Sequence, residues 1–218
     1  ASNHSEKERQ SEDFYATPPR MVRELCEKLD IDFNGQHVWE CANGQGHITN
    51  ELISEYPDVH MHMTDIMQRT EDTEVFDFLE VNAHTGNWPE SVKPYIDDDS
   101  KFHGHIITNP PYFKGTEFLA KACDVLADGY ICAFFVKIQY LETLKRYQVF
   151  KQYSPYKVLV SVQRVHCGKD GKFDNEEATG GAACYIWYIF KKGYTGPCTL
   201  DWINTGEKST KPLTNPLF

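Results

Sequence analysis

Val38-Trp39-Glu40-Cys41, followed by Ala42-Asn43-Gly44-Gln45-Gly46, runs from a short apolar segment into a glycine turn, and Ile48, Leu52, Ile53 and Tyr56 then recur at helical spacing. A buried strand that ends in glycines and passes directly into a helix is the opening of a βαβ unit, with glycine placed where backbone must come close to a ligand. The turn has neither the third glycine of the dinucleotide fingerprint nor the Gly-Lys-Ser/Thr of a phosphate loop, which argues against a pyrophosphate ligand.

Outward from this turn the chain alternates between two periods. On the N-terminal side, Thr17-Pro18-Pro19 opens an amphipathic helix with Met21, Val22, Leu25 and Leu29 on one face, Thr17 as its cap and proline in its first turn. Residues 1–13 are polar and charged and are expected to form a flexible N-terminal segment. On the other side, Val59, Met61 and Met63 alternate with His60, His62 and Thr64, a half-buried strand that ends at Asp65. Residues 104–108 read as a strand running into Asn109-Pro110-Pro111-Tyr112, and a helix with Phe118, Leu119, Ala122, Val125 and Leu126 inward follows. Residues 130–136 form a continuous apolar run, as in a central strand covered on both faces. A helix over 140–150, a strand over 157–165, a polar glycine-rich loop over 168–181 and a last long strand over 184–190 complete the pattern. The fold expected is α/β: an open, mostly parallel Rossmann-like sheet flanked by helices, with the last strand antiparallel and ligands beyond the carboxyl ends of the strands.

Composition bounds the function. With 218 residues, 40% hydrophobic and 13% aromatic, the chain suits one globular domain with a substantial core. No apolar run approaches the ~20 residues of a membrane span and the start lacks a signal-peptide core, so a soluble cytoplasmic protein without membrane contact is expected. The seven cysteines are scattered without a Cys-x-x-Cys pair, which argues against a disulfide framework and a zinc site. His60 and His62, like His103 and His105, have the same-face spacing of strand metal ligands but read as paired surface histidines, so no metal is expected. Net charge is −10, yet residues 1–109 hold 8 basic and 22 acidic side chains while residues 110–218 hold 14 and 10. The second half can therefore approach a polyanion, through Lys137, Lys145, Arg146, Lys151, Lys157, Arg164, Lys169 and Lys172 if they share a face.

Two features point to chemistry. Asp65, at the end of the second strand, can accept hydrogen bonds from both hydroxyls of a ribose. Two prolines directly after a strand fix an extended corner that ordinary turns do not require. Such a corner can present the Asn109 side-chain oxygen and the Pro110 carbonyl to one amino group, aiming its lone pair at an incoming electrophile, while the Tyr112 ring stacks on a planar base or amide.

Residues 13–19 (Asp-Phe-Tyr-Ala-Thr-Pro-Pro), residues 40–46, Asp77-Phe78-Leu79 and Asn109-Pro110-Pro111-Tyr112 together resemble, in order, the motifs of S-adenosylmethionine-dependent N6-adenine DNA methyltransferases, in particular the small phage- and prophage-encoded type. The later strands continue the resemblance to about residue 192. It implies a class I methyltransferase fold and one methyltransferase domain over 14–218. Phe14 and Thr17 would line the methionine end of S-adenosylmethionine, Glu40 would meet its α-amino group, and Ala42, Gly44 and Gly46 would form the turn around it. Asp65 would hold the ribose, Asp77 the adenine amino group, and Phe78 would pack on the adenine ring. Asn109, Pro110, Pro111 and Tyr112 would form the target corner. Cys41 stands where a proline is usual and Asn43 where a small residue is usual, so the turn is expected to differ in shape or cofactor affinity. Only 31 residues separate Asp77 from Asn109 and 28 follow Phe190, so no separate target-recognition domain is expected within these 218 residues. DNA is the expected partner, its target adenine flipped out of the stack. The same corner also occurs in N5-glutamine protein methyltransferases and RNA N6-adenine methyltransferases, and a cofactor-binding module completed by a partner subunit is a further alternative.

Overall fold

The computed structural model describes residues 15–162, 165, 167–169 and 184–203. Its main sheet has eight strands: β2 (His37–Glu40), β3 (His60–Asp65), β4 (Glu74–Val75), β5 (His105–Thr108), β6 (Ile131–Lys137), β7 (Lys157–Ser161), β9 (Tyr185–Lys191) and β10 (Thr199–Ile203). A separate two-stranded ribbon pairs β1 (Tyr15–Ala16) with β8 (Gly168–Lys169) antiparallel. The order across the main sheet is β10-β7-β9-β6-β5-β2-β3-β4, with β9 antiparallel to both β6 and β7 and the remaining pairs parallel. The α/β, mostly parallel sheet expected from the sequence is thus the one observed.

Helices cover both faces. α1 (Pro19–Leu29) and α2 (His47–Glu55) pack on one, α3 (Gly115–Val125) and α4 (Leu144–Gln152) on the other. Strand side chains alternate between the two layers, since successive Cβ atoms leave opposite faces of a sheet. Val38, Ile107, Phe135 and Trp187 join the α1 and α2 side, whereas Trp39, Ile106, Phe134 and Tyr188 join the α3 side. Each such large apolar side chain, fully buried, contributes roughly 1.5–3 kcal/mol. Both buried indoles keep a hydrogen bond: Trp39 Nε1 donates to Thr64 Oγ1 (2.9 Å) and Trp187 Nε1 to the Met21 carbonyl (2.9 Å).

The structure corrects several expectations. Thr17 does not cap α1; the cap position is Pro18, in extended conformation and without a side-chain cap bond. The helix expected over 140–150 is split, because Thr143 has φ of 95° and separates a 3-10 turn at Ile138–Leu141 from α4. The strand expected over 157–165 closes at Ser161, and the last long strand is followed by another, β10, parallel to β7. The hydrophobic pattern of β10 is weak because Leu200 and Trp202 face outward on an edge strand. His62 and His105 are not surface residues but buried ones, His62 Nε2 lying 3.1 Å from His37 Nδ1 and His105 Nδ1 accepting from the Ile131 N–H at 3.3 Å. Among the described residues no group of three His, Cys, Asp or Glu is placed to hold a metal ion, and no helix is long and apolar enough to cross a membrane.

Candidate active site

β2 and β5 lie side by side where the strand order departs in both directions, the switch point beyond which α/β sheets open a crevice. Two turns leave from it. After β2, Gly44 and Gly46 have φ of 55° and 79°, a left-handed conformation that costs a residue with a side chain about 1–2 kcal/mol. Gly46 then starts α2. After β5, Pro110 and Pro111 hold the chain extended, and the Lys114 N–H closes the corner on the Pro111 carbonyl at 2.9 Å.

Between the turns lies a small cleft open to solvent. It is lined by Ala16 and Thr17, by Glu40 at the end of β2, by Ala42 and Asn43 of the first turn, by His47 and Ile48 of α2, and by Asn109 of the corner. The β1–β8 pairing holds the start of the described chain in place. Thr17, buried, accepts a hydrogen bond through Oγ1 from Asn109 Nδ2 at 3.1 Å, which fixes the plane of the Asn109 amide.

Glu40 is only 1% exposed, and its Oε1 accepts from the Ala42 N–H at 3.0 Å. Burial pushes its pKa up to about 8; the Thr108 hydroxyl and the Ala42 N–H oppose the rise, and the Asp65 carboxylate adds to it. Near pH 7 Glu40 is therefore mostly the neutral acid in the free site, and an arriving cation would favour its ionised form strongly, because attraction is weakly screened there. Burial also lowers the pKa of His47, so its imidazole is neutral near pH 7.

Tyr112 is half-buried, its hydroxyl 3.0 Å from that of Tyr185, and Lys137 Nζ sits 4.8 Å from its ring centroid. Tyr185 is itself stacked on Phe135, with centroids 5.0 Å apart and planes at 10°. The Tyr112 ring is therefore held in one orientation at the corner.

Asp65, Asp77 and Phe78 do not line this cleft. Asp65 is buried, and its carboxylate accepts from the Gly44 N–H (2.8 Å) and the Met67 N–H (2.9 Å), with Arg69 Nη1 at 3.6 Å. Its observed role is to brace the glycine turn. Asp77 caps a 3-10 turn by accepting from the Leu79 N–H at 2.9 Å. Phe78 has no exposed face, being packed edge-on against Trp39 and tilted on Phe118, both at 5.1 Å. Packing on an adenine ring would require the turn at Phe78–Glu80 to move. Phe14 lies outside the described residues, as do Arg164 and Lys172. The basic residues do not all share a face: Lys137, Lys145, Arg146 and Lys151 belong to the corner side, whereas Lys157 begins β7 at the opposite edge, bonded to the Lys28 carbonyl at 2.8 Å.

No protein-family model and no curated protein matches the sequence. Solved structures do. The methyltransferase subunit of a type I restriction-modification system from Streptococcus thermophilus matches 88% of this chain over 48% of its own, with TM-score 0.59 and 13% identity. A protein assigned as a class I S-adenosylmethionine-dependent methyltransferase from Listeria monocytogenes matches 86% of this chain over 65% of its own, with TM-score 0.57 and 13% identity. A predicted O-methyltransferase from Agrobacterium tumefaciens matches 90% over 92%, with TM-score 0.56 and 14% identity. The fold is that of class I methyltransferases. This chain spans about half the length of the restriction-modification subunit.

Within that fold, the cleft gains residues that the sequence did not single out. Asn43, noted only as a departure, donates through Nδ2 to Thr73 Oγ1 (2.7 Å) and accepts through Oδ1 from Thr49 Oγ1 (2.8 Å), tying the turn to α2 and to the segment before β4. A small residue could not make these bonds. His47 and Ile48 enter because α2 begins at the cleft; the position of His47 directly after Gly46 was the available signal.

Proposed function

We propose that this chain transfers a methyl group from S-adenosylmethionine to the exocyclic N6 of adenine in DNA. The reading is carried by the meeting of Glu40 and Asn109 in one cleft: a buried carboxyl at the end of β2 faces the same space as the amide that opens the Asn-Pro-Pro-Tyr corner.

The residues present fit that cofactor. Glu40 offers a desolvated carboxyl that the α-ammonium would hold ionised, and the left-handed turn at Gly44 and Gly46 lets backbone approach closely. Thr17 and Ala42 line the same end, and Phe14 belongs there by the resemblance. Asp65, beside the glycine turn, is assigned to the ribose; Asp77 and Phe78 are assigned to the adenine, the Phe78 ring only on movement of the turn at Phe78–Glu80 that now buries it. When bound, the cofactor supplies an electrophilic sulfonium methyl. The chain has to align the accepting nitrogen and exclude water. Asn109 and the Pro110 carbonyl accept the two amino hydrogens, Pro111 stiffens the corner, and Tyr112 stacks on the base. A covalent route through Cys41 is disfavoured, since burial holds its thiol protonated well above the usual range and the side chain lies in the core. A stacked base cannot reach such a corner, so the adenine must be flipped or single-stranded. By analogy with the restriction-modification subunit, target recognition is assigned to a partner subunit or to short loops, and DNA in the cytoplasm is the setting that fits.

The test is mass spectrometry of nucleosides from DNA incubated with the protein and S-adenosylmethionine, where N6-methyladenine is the expected product. Asn109→Ala should lower turnover roughly 100-fold or more, as loss of one preorganised polar contact at a reacting centre does, while calorimetry finds cofactor affinity changed less than about tenfold. Label appearing in protein from a cell extract, with unmodified DNA, would move the assignment to side-chain glutamine.

A further inference from the structure

The rim beside the corner carries side chains that methyl transfer does not need. Phe113, next to Tyr112, is 58% exposed, and Lys114 Nζ lies 6.0 Å from its ring centroid. α4 has no fully buried residue; it attaches to the core through Val149 and Phe150 and leaves Leu144 83% and Tyr147 55% exposed. Its nine residues include Lys145, Arg146 and Lys151 and no acid, on a chain of net charge −10.

Rim and helix form one surface. Tyr140 donates to the Gly115 carbonyl at 2.8 Å, Arg146 Nε to Thr116 Oγ1 at 3.4 Å, and Lys145 pairs with Glu117, so the start of α4 is clamped to the start of α3 directly behind Phe113 and Lys114. Arg146 is committed to this clamp, lying 4.6 Å from the Tyr140 ring centroid and donating to the Gln139 carbonyl at 2.8 Å. Lys114 then flanks Phe113, Lys151 Nζ lies 5.8 Å from the Tyr147 ring centroid and Lys137 lies over Tyr112; Glu142 and Glu117, the latter paired with Lys145, are the neighbouring acids.

We propose that this rim, Phe113–Lys114 together with the exposed side of α4, binds the single-stranded segment of nucleic acid flanking the target base. The inference rests on the nucleic-acid substrate proposed above and names the surface that would hold it. Exposed aromatic rings interleaved with lysines match such a strand, because every base presents a stacking face and every linkage a phosphate. An apolar peptide would be served by Leu144 and Tyr147 but would bring no counter-charge for Lys114 and Lys151.

The test uses fluorescence anisotropy with a labelled adenine-containing single-stranded oligonucleotide at several salt concentrations. Phe113→Ala with Tyr147→Ala should weaken binding roughly 30-fold or more, since two base stacks are lost. Lys151→Ala, at an exposed position without buried contacts, should reduce the salt slope of log affinity by about 0.7. Cofactor affinity measured by calorimetry should not change in either variant. Wild-type binding reproduced by both variants, with the same slope, would overturn the rim while leaving the substrate reading intact. A wild-type protein that binds no oligonucleotide and labels only protein would overturn both.

Discussion

Glu40 sets up opposed demands on stability and ligand binding. Its pKa rises from 4.5 to about 8 on folding, chiefly through burial. Because the folded state holds the proton more tightly, the associated stability is full below pH 4.5 and is lost as pH climbs to about 8. At ~1.4 kcal/mol per unit the loss amounts to a few kcal/mol. Glu40→Gln should therefore be more stable than wild type at pH 8 in urea unfolding, with the two converging near pH 4.5. The same variant should bind S-adenosylmethionine more weakly, because the buried counter-charge for an ammonium is gone. Greater stability together with undiminished affinity would remove Glu40 from the ligand site.

Among the elements, the β2–β5 junction carries a strict steric condition. Gly104 precedes β5, and a Cβ there would meet the His37 carbonyl at 2.6 Å and the Phe102 ring at 2.5 Å. Neither can yield cheaply, since one is strand backbone and the other a fully buried ring. Gly104→Ala should thus destabilise the protein by about 1–3 kcal/mol, read as a lower urea midpoint at unchanged m-value. Activity should fall with it, because β2 and β5 carry the two turns of the cleft. The glycine turn shows how an element can be legible while its bracing is not. Strand, glycines and helix follow from residues 38–56, but the bonds from Asp65 and Asn43 that shape the turn span 21 and 30 positions.

For the molecule as a whole, buried titratable groups predict where stability peaks. Burial, aided by neighbouring His37 for one and Lys191 for the other, lowers His62 and His105 from 6.5 to about 4. The unfolded chain takes up protons at 6.5 that the folded one refuses until about 4, so stability is full above pH 6.5 and is lost as pH falls through that window. Glu40 acts in the opposite sense up to about 8. Two histidines outweigh one carboxyl below pH 6.5, and the carboxyl acts alone above it, so maximal stability should lie near pH 6.5. Urea unfolding across pH 4 to 9 checks this, and a maximum shifted to pH 8 or above would contradict the burial of Glu40.

The sequence by itself determined the class of fold and the order of its parts, because hydrophobic period, glycine and proline are local signals. The α1 stripe, the glycine turn, the apolar run of β6 and the Asn-Pro-Pro-Tyr corner are each written within a few adjacent residues. It also placed Thr17, Glu40, Ala42 and Asn109 on the candidate list, and the structure brings these four into one cleft. Only the tertiary structure decided that Thr17 bonds Asn109 instead of capping a helix, that Phe78 is buried in the core, and that β10 extends the sheet. Those outcomes depend on partners far apart in the chain and on which polar groups lose water, and burial is a property of the packed molecule that no local pattern of residues encodes.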